Sequence, residues 1–380
     1  MRQLQKEEKS SLAPAKILII SILITIAAAS TIYFLNIGKY VLKGPQTAFE
    51  LITNSGIKSD NGRTNILLLG TGGEGHDGPN LTDTIILASI DKDGKDPALV
   101  SIPRDLWAPS VKAKINAAYA FGQEKNGKGK ELAAKTISEL FGIPIHYTVR
   151  VDFNGFTEAV DLIDGLDINV DKSFQDPMYP IPGKENDLCK LTIEMQEING
   201  QKLQVVKTAT GSAIPLFEIN DRNTPFVCRY ETLDFEKGPK HMDGETALKF
   251  VRSRHGTNDE GTDFARSARQ QKVILAFRDK VFSTQTFTSP KTIIDLITTF
   301  DKSIDTDIQN DDIALFLKLV KKIDTTKIRT IVLDSEREES QLIEGDPVNY
   351  GGQFVLEPKD GTWQDFAEYV QGEIFKLQEK

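Results

Sequence analysis

Residues 250–271 read FVRSRHGTNDEGTDFARSARQQ, and this stretch carries four arginines at two kinds of spacing. Arg252 and Arg254 follow the apolar run ALKFV, so in extended backbone they leave one face of the chain while Val251 and Ser253 leave the other. We therefore expect a pair of guanidinium groups pointing the same way. A guanidinium binds phosphate through two parallel hydrogen bonds, so such a pair suits a phosphate-rich ligand.

A break rich in Gly, Asn and Asp follows, and the next segment is predicted to be a helix that begins at Thr262 or Asp263 and runs to about Val281. One face of this helix carries, in order, Asp263, Arg266, Gln270, Val273, Ile274 and Phe277. A face that becomes apolar points inward, which predicts a polar cleft roofed by the helix N-terminus, where free N–H groups favour anions. The alternative is a network of Arg and Asp ion pairs on a solvated helix.

The chain around this stretch alternates between apolar runs and helical periodicity. The predicted strands are residues 66–70, 84–90, 98–102, 145–151, 167–170 and 329–334. The other predicted helices are residues 131–142, 153–163, 290–300, 310–322 and 363–377. This alternation predicts an α/β fold in which a central mixed β-sheet is flanked by helices. Between about Phe174 and Lys237 the periodicity weakens, which indicates an elaborated, partly β insertion.

The N-terminal region contains an uncharged apolar stretch, ILIISILITIAAASTIYFLNI, at residues 17–37. It is long enough for the ~20 residues that cross a bilayer as a helix, although a cleaved signal peptide ending near Ala29 is an alternative. The basic residues before it favour a cytoplasmic N-terminus at 1–16. Residues 38–62 then form a stalk, and residues 63–380 form an extracytoplasmic domain at the cell membrane.

Composition limits the classes of partner. The 46 basic and 55 acidic residues give a formal charge of 46 − 55 = −9, which argues against nucleic-acid binding. Cys189 and Cys228 both lie in the predicted external part, so they form either a disulfide or two unpaired thiols. The Gly-rich loop 70–83 lacks the Gly-Lys-Ser/Thr sequence of a nucleotide-binding P-loop.

Four stretches carry a resemblance. RYETLDFEKGPKHMDGETALKFVRSRH and TDFARSARQQKVILAF join an R-x-R pair to D-[FG]-x-R-x-x-R-Q, and LTDTIILASI and VSIPRDLW precede them in the chain. In content and order these stretches resemble the LytR-CpsA-Psr family of membrane-anchored cell-wall glycopolymer transferases. The resemblance covers roughly residues 63–335.

The resemblance extends the candidate site. Asp83 matches the metal-associated aspartate of the family, which implies Mg²⁺ as cofactor. The second aspartate that the family usually carries in a G-x-D pattern is replaced by Gly72, and Glu74, His76 or Asp77 is near enough in sequence to take its place. Lys114 resembles the family's next basic position. Arg104 follows the strand 98–102, and the carboxyl edge of an α/β sheet is where ligands bind.

A transferase that moves a glycopolymer from a polyprenyl-pyrophosphate carrier to a peptidoglycan sugar hydroxyl is the implied function. The pyrophosphate would be held by Arg104, Lys114, Arg252, Arg254 and Arg266, and Gln270 would steady the arginines. Asp263 would either orient Arg266 or accept the proton of the acceptor hydroxyl. Two other functions remain open, namely a regulatory module that binds polyprenyl (pyro)phosphate and a lipid pyrophosphatase.

Overall fold

The structure is a computed structural model, and it describes residues 56–76, 78–198, 200–208, 211–219, 223–283, 304–309, 312–359 and 362–376. The predicted span at 17–37 and the predicted helix at 290–300 lie outside these residues. Within the described part of the chain, no helix has the length and apolar character needed to cross a bilayer. The membrane anchor therefore stays a prediction. The compact unit that contains the candidate site is Lys58–Lys380.

A mixed β-sheet forms the centre of this unit. Its strands are β1 (Arg63–Thr71), β2 (Thr82–Asp91), β3 (Ala98–Ser101), β6 (Tyr147–Asp152), β14 (Ile304–Thr306) and β15 (Arg329–Val332), in the order β14-β6-β1-β2-β3-β15. β1 pairs in parallel with β6, and β3 pairs in parallel with β15. The other neighbours are antiparallel. The predicted α/β class with a central mixed sheet is confirmed.

Helices cover both faces of the sheet. They are α1 (Ala117–Asn126), α2 (Gly129–Phe141), α3 (Phe153–Leu162), α4 (Gly244–Arg252), α5 (Asp263–Val281), α6 (Ile313–Lys322) and α7 (Trp363–Phe375). One hydrophobic core joins α1, α2 and α7 to the sheet through residues such as Leu67, Phe141 and Val370. A second core joins α3, α4 and α5 around Phe174 and Phe250. Contiguous cores of this kind supply most of the stability of a domain of this size.

The remaining strands are short and lie outside the central sheet. They are β4 (Trp107–Ala108), β5 (Ala113–Lys114), β7 (Leu166–Val170), β8 (Phe174–Pro180), β9 (Thr192–Ile198), β10 (Gln201–Lys207), β11 (Ala213–Pro215), β12 (Tyr230–Phe235), β13 (Gly238–Met242), β16 (Leu342–Glu344) and β17 (Leu356–Pro358). The segment predicted to be an insertion, 174–237, contains β8 to β12. Cys189 and Cys228 form a disulfide within it, so of the two alternatives the disulfide is confirmed.

The segment before the R-x-R pair differs from the prediction. ALKFV is not extended but lies in α4, which begins after Asp243, whose carboxylate accepts from the N–H of Thr246. Arg252 is the last residue of α4, and Ser253 begins an extended loop that carries Arg254. Because the backbone changes from helix to loop between the two arginines, period-two alternation does not govern their directions.

Candidate active site

The candidate site is a cleft at one edge of the central sheet, where β1, β3, β6 and β15 end and β2 begins. Its walls come from the sheet edge and from the first two turns of α5. The lining residues are Asp83, Thr84, Ile85, Ser101, Ile102, Pro103, Arg104, Asp263, Arg266, Ser267, Gln270 and Leu333. Carboxyl ends of parallel strands are the usual place for a ligand in an α/β fold. The helix face predicted from the sequence thus meets the predicted strand ends.

Arg104 is the first charged group of the cleft. Its Nη1 donates to Asp83 Oδ1 at 2.6 Å, and its Nε lies 3.4 Å from Asp105 Oδ2. Lys114 Nζ donates to the other oxygen of Asp105 at 2.7 Å. Burial alone would lower the pKa of Arg104, but the charges of Asp83 and Asp105 outweigh burial and raise it. Among the described contacts, Lys114 is therefore connected to the cleft arginine Arg104 only indirectly, through the ion pair that each of them forms with Asp105.

Arg254 is a cation without a carboxylate partner among the described residues. Its backbone N–H donates to Asp176, but its guanidinium forms no ion pair within 4.0 Å in this part of the chain. Arg254 as a whole is exposed and is not among the residues that line the cleft, but its guanidinium lies close enough to those of Arg104 and Arg266 to interact with their charges. Partial desolvation, followed by the charges of Arg104 and Arg266, lowers the pKa of Arg254 to about 10.

The first turn of α5 holds Arg266 against the acidic residue that begins the helix. Arg266 forms an ion pair with Asp263, and Thr262 caps the helix by accepting from the N–H of Ala265. The N–H of Asp263 donates to Glu336 at 3.1 Å. Two of the N–H groups that were predicted to attract a ligand anion are therefore already used by protein oxygens. The guanidinium groups, rather than these two N–H groups, are therefore the candidate anion ligands of the cleft.

Glu336 lies next to Asp263 and was not found from the sequence. The residue as a whole is exposed, but its carboxyl faces protein on the side of Asp263. Desolvation of this carboxyl, followed by the charge of Asp263, raises the pKa of Glu336. Its distance of 73 residues along the chain from Asp263 explains why no local pattern reveals it.

Gln270 has a different role from the predicted one of steadying the arginines. It does not contact the arginines in any described hydrogen bond; its Nε2 donates to Thr84 Oγ1 at 3.0 Å and so fixes α5 to the start of β2. Arg269, the remaining arginine of the stretch, is buried and does not line the cleft; it donates to the carbonyls of Phe250 and Ser253 and pairs with Glu260. Arg269 therefore joins α5 to the end of α4 and to the loop that follows it.

Arg252 also lies apart from the ion-pair cluster. Its guanidinium carbon is 4.1 Å from the ring centroid of Phe153, and its Nη1 donates to the hydroxyl of Tyr179 at 3.2 Å. Both contacts join the end of α4 to neighbouring elements, one to α3 and one to β8. No described ion pair or hydrogen bond joins Arg252 to Arg104, Arg254 or Arg266. The predicted guanidinium pair is thus divided between two environments.

Asp176 holds the loop that carries Arg254. Its side chain is buried, and Oδ2 accepts from Ser253 Oγ at 2.7 Å and from the N–H groups of Arg254 and His255 at 3.0 and 3.2 Å. Burial would raise the pKa of Asp176, but these hydrogen bonds and one from the N–H of Met178 outweigh it and lower the pKa. The insertion therefore positions the arginine loop.

The Gly-rich loop packs against the end of β6 and the start of α3, where His76 contacts the ring of Phe153. A Cβ added at Gly72 would lie 2.8 Å from the Cβ of His76, and one added at Gly73 would lie 2.8 Å from the Cβ of Asp152. His76 thus occupies the space beside Gly72, while Glu74 is exposed. Asp77 lies outside the described residues, so its predicted metal role stays a prediction.

The metal site predicted around Asp83 can be compared only with the described residues. In the described residues, the only group of three His, Cys, Asp or Glu side chains close enough to share an ion is Asp187, Cys189 and Cys228. That group is a disulfide with a neighbouring carboxylate. Around Asp83 the described chain offers no comparable group, and the role of Mg²⁺ stays a prediction.

With this geometry in place, sequence comparison assigns the family. Residues 39–350 match the LytR_cpsA_psr family, and the chain belongs to it. The polyisoprenyl-teichoic acid–peptidoglycan teichoic acid transferase TagU of Bacillus cereus is 26% identical over 250 residues, covering 65% of this chain. The matched region spans 60% of the length of that relative.

Solved structures support the same fold. The crystal structure of Bacillus subtilis TagV is 21% identical and covers 83% of this chain and 98% of the TagV chain, with a TM-score of 0.51. A structure of TagT bound to LIIa-WTA is 20% identical and covers 84% of this chain and 94% of the other, also with a TM-score of 0.51. At these identities the likeness concerns the fold.

Proposed function

We propose that this protein transfers a glycopolymer from a polyprenyl-pyrophosphate carrier to a sugar hydroxyl of peptidoglycan. The observation that carries the proposal is a cleft at the sheet edge that Arg104 and Arg266 line together, with Arg254 near enough for their charges to act on it and without an ion pair of its own in the described chain. Crowded guanidinium groups repel one another, and a bound anion removes the repulsion. A pyrophosphate supplies more negative charge in one place than a sugar or a peptide carboxylate does.

Membership of the family and the names of the relatives support the donor and the acceptor. The Bacillus cereus relative is named a polyisoprenyl-teichoic acid–peptidoglycan teichoic acid transferase, and this name refers to a lipid carrier, a glycopolymer and peptidoglycan. The chemistry of the cleft suits the phosphate end of such a donor. A membrane anchor at residues 17–37 with an external domain would keep the cleft near a lipid-linked substrate.

Phosphoryl transfer needs positioning and neutralisation of charge more than it needs covalent chemistry from the protein. The oxygen of the acceptor hydroxyl attacks the phosphorus atom that carries the glycan, and the bond from this phosphorus to the bridging oxygen breaks. Polyprenyl phosphate leaves with the bonding electrons, and the glycan becomes linked to the acceptor through a phosphodiester. Arg104, Arg254 and Arg266 stabilise the negative charge that develops on the phosphate oxygens.

The proton of the acceptor hydroxyl passes to a carboxylate at the helix end of the cleft. Asp263 lines the cleft and is held in place by Arg266, so it combines the two roles that the sequence left open. Glu336 stands behind it, accepting from the N–H of Asp263. A carboxylate within hydrogen-bond reach of the reacting hydroxyl is what general-base catalysis requires.

The surroundings of Asp83 fit a magnesium ion whose remaining ligands come from the substrate. Arg104 binds one oxygen of Asp83, and the side chain of Asp83 is 41% exposed. Mg²⁺ commonly uses one or two carboxylates together with phosphate oxygens and water, so a single aspartate suffices when pyrophosphate is present. When bound there, the ion neutralises phosphate charge.

Asp83→Asn tests this assignment. With Mg²⁺ present, the variant should bind inorganic pyrophosphate about tenfold more weakly than the parent, because one charged ligand of the ion is lost. Without Mg²⁺ it should bind as tightly or more tightly, since the change removes a negative charge and frees Arg104. Calorimetric titrations with and without Mg²⁺ measure both quantities. Equal weakening in the two conditions would show that Asp83 does not act through a metal ion.

The proposed function itself is tested with a lipid-linked donor whose glycan is radiolabelled, incubated with the full chain and purified peptidoglycan. We expect the label to appear on peptidoglycan in a phosphodiester linkage. Release of free glycan phosphate would make the protein a lipid pyrophosphatase, because water would then be the acceptor. Tight binding of the donor with no turnover would make it a regulatory module that holds polyprenyl pyrophosphate.

A further inference from the structure

An aromatic surface adjoins the cleft on the side of Arg104. It consists of Trp107 at the start of β4, Tyr350, and Phe354 in the loop before β17. The ring centroids of Trp107 and Tyr350 are 4.7 Å apart in an edge-on arrangement, and Lys114 Nζ lies 6.0 Å from the ring centroid of Phe354. We refer to Trp107, Tyr350 and Phe354 as the aromatic platform.

The platform is continuous with the cleft through a chain of contacts. Lys114, over Phe354, donates to Asp105, and Asp105 also pairs with Arg104 of the cleft wall. The backbone makes the same connection, since the N–H of Leu356 donates to the carbonyl of Asp105 at 2.9 Å. The platform and the cleft wall are therefore connected through Asp105, which contacts Arg104 on one side and Lys114 on the other.

The rings are held in place although they retain solvent-accessible surface. The hydroxyl of Tyr350 donates to Glu357, and a Cβ added at Gly345 would lie 2.7 Å from Tyr350 Cε2, so the ring packs directly on the glycine backbone. Trp107 is paired across β4 and β5 with Lys114. Phe354 is 49% exposed, which is a large apolar surface to leave in water without a partner.

We propose that the aromatic platform binds a pyranose ring of the acceptor glycan. A pyranose has an apolar C–H face, which packs on an aromatic ring, and a rim of hydroxyls, which need hydrogen-bond partners. The platform offers both, because Asp105, Lys114 and Glu357 surround the rings with charged oxygen and nitrogen atoms. A site that combines aromatic surface with a few fixed polar groups is typical of small-ligand recognition.

Part of the platform lies beyond the region that matches the family. The family match ends at Tyr350, so Phe354 and the strand β17 that supports it lie outside the match. The inference rests on the proposed function for the identity of the glycan as acceptor. The experiment below separates the two, because it measures sugar binding and pyrophosphate binding independently.

The test uses the full chain in nanodiscs and, as probe, a soluble tetramer of β-linked N-acetylglucosamine, titrated by saturation-transfer difference NMR. We expect the tetramer to bind, and Phe354→Ala to weaken its binding by about threefold to tenfold, the range for loss of one aromatic contact. Phe354→Trp should retain binding. Phe121→Ala on α1, which removes a ring of similar exposure, 45%, should change nothing.

Inorganic pyrophosphate is titrated into the same samples. Phe354→Ala should bind it as the parent does, because the platform does not contact the phosphate. Failure of the tetramer to bind, or equal binding by the parent and Phe354→Ala, would overturn the proposed sugar site. Loss of tetramer binding in Phe121→Ala would also overturn it. If the tetramer binds through Phe354 but pyrophosphate does not bind, the sugar site stands and the proposed transfer function fails.

Discussion

Arg254→Gln should abolish most pyrophosphate binding while leaving the fold intact. The guanidinium has no ion pair to lose in the described chain, and burial together with the charges of Arg104 and Arg266 lowers its pKa, so its removal should cost the fold little. Loss of one charged hydrogen-bonding group from a phosphate site costs about 1.5–3 kcal/mol, or roughly tenfold to a hundredfold in affinity. Calorimetry gives the affinity, and the melting temperature should be equal to or slightly above that of the parent.

Arg252→Gln is the matched control, because both residues belong to the R-x-R pair but only Arg254 lies beside the other cleft arginines. Arg252 contacts Phe153 and Tyr179, so its loss should destabilise the fold by about 1 kcal/mol, as expected for a partly buried cation over an aromatic ring. Its effect on pyrophosphate affinity should be the smaller of the two. If Arg252→Gln weakens pyrophosphate binding more than Arg254→Gln does, the assignment of Arg254 to ligand binding and of Arg252 to structural contacts is wrong.

Asp176→Asn should cause the largest loss of stability among substitutions near the site. One carboxylate oxygen accepts from Ser253, Arg254 and His255, and the other accepts from Met178. Either orientation of an Asn amide places an NH₂ group against buried N–H donors. The expected cost is about 3 kcal/mol, measured by denaturant unfolding at neutral pH. Pyrophosphate affinity should fall with it, because the loop of Arg254 loses its anchor.

The pH dependence gives a second check on Asp176. The pKa of Asp176 in the folded protein is lowered below 3.8. Its contribution to stability is therefore fully present above pH 3.8, and this contribution is lost as the pH falls through the pKa that Asp176 has in the folded protein. The stability difference between the parent and Asp176→Asn should therefore shrink below about pH 4. Asp167→Asn is the control, since Asp167 is 74% exposed and pairs with His241 at the surface. A loss of stability in Asp167→Asn as large as that in Asp176→Asn would contradict the account.

The sequence predicts the parts of the site that depend on local periodicity. Apolar runs locate β2 and β3, and the ends of these strands place Asp83 and Arg104 at one sheet edge. Helical spacing correctly places Asp263, Arg266 and Gln270 on the face of α5 that lines the cleft. These inferences succeed because strands and helices have fixed repeats that a sequence alone reveals.

Contacts between distant residues are what the sequence does not reveal. Asp176 binds residues 77 to 79 positions away, and nothing in the sequence around it distinguishes this buried residue from a surface aspartate. Burial of Arg269 depends on where Phe250 and Glu260 lie after folding. The sequence does contain a signal for the helical state of ALKFV, because Asp followed by Gly-Glu-Thr at residues 243–246 is a usual helix start. The prediction of an extended R-x-R pair does not take this signal into account.

A crystal structure of the protein with a bound polyprenyl pyrophosphate tests the central claim most directly. We expect electron density for the two phosphates between the guanidinium groups of Arg104, Arg254 and Arg266, with Asp83 on the side from which a magnesium ion would reach them. Arg252 should keep its contacts with Phe153 and Tyr179. Density for the pyrophosphate away from these three arginines, with Arg254 directed into solvent, would contradict the account.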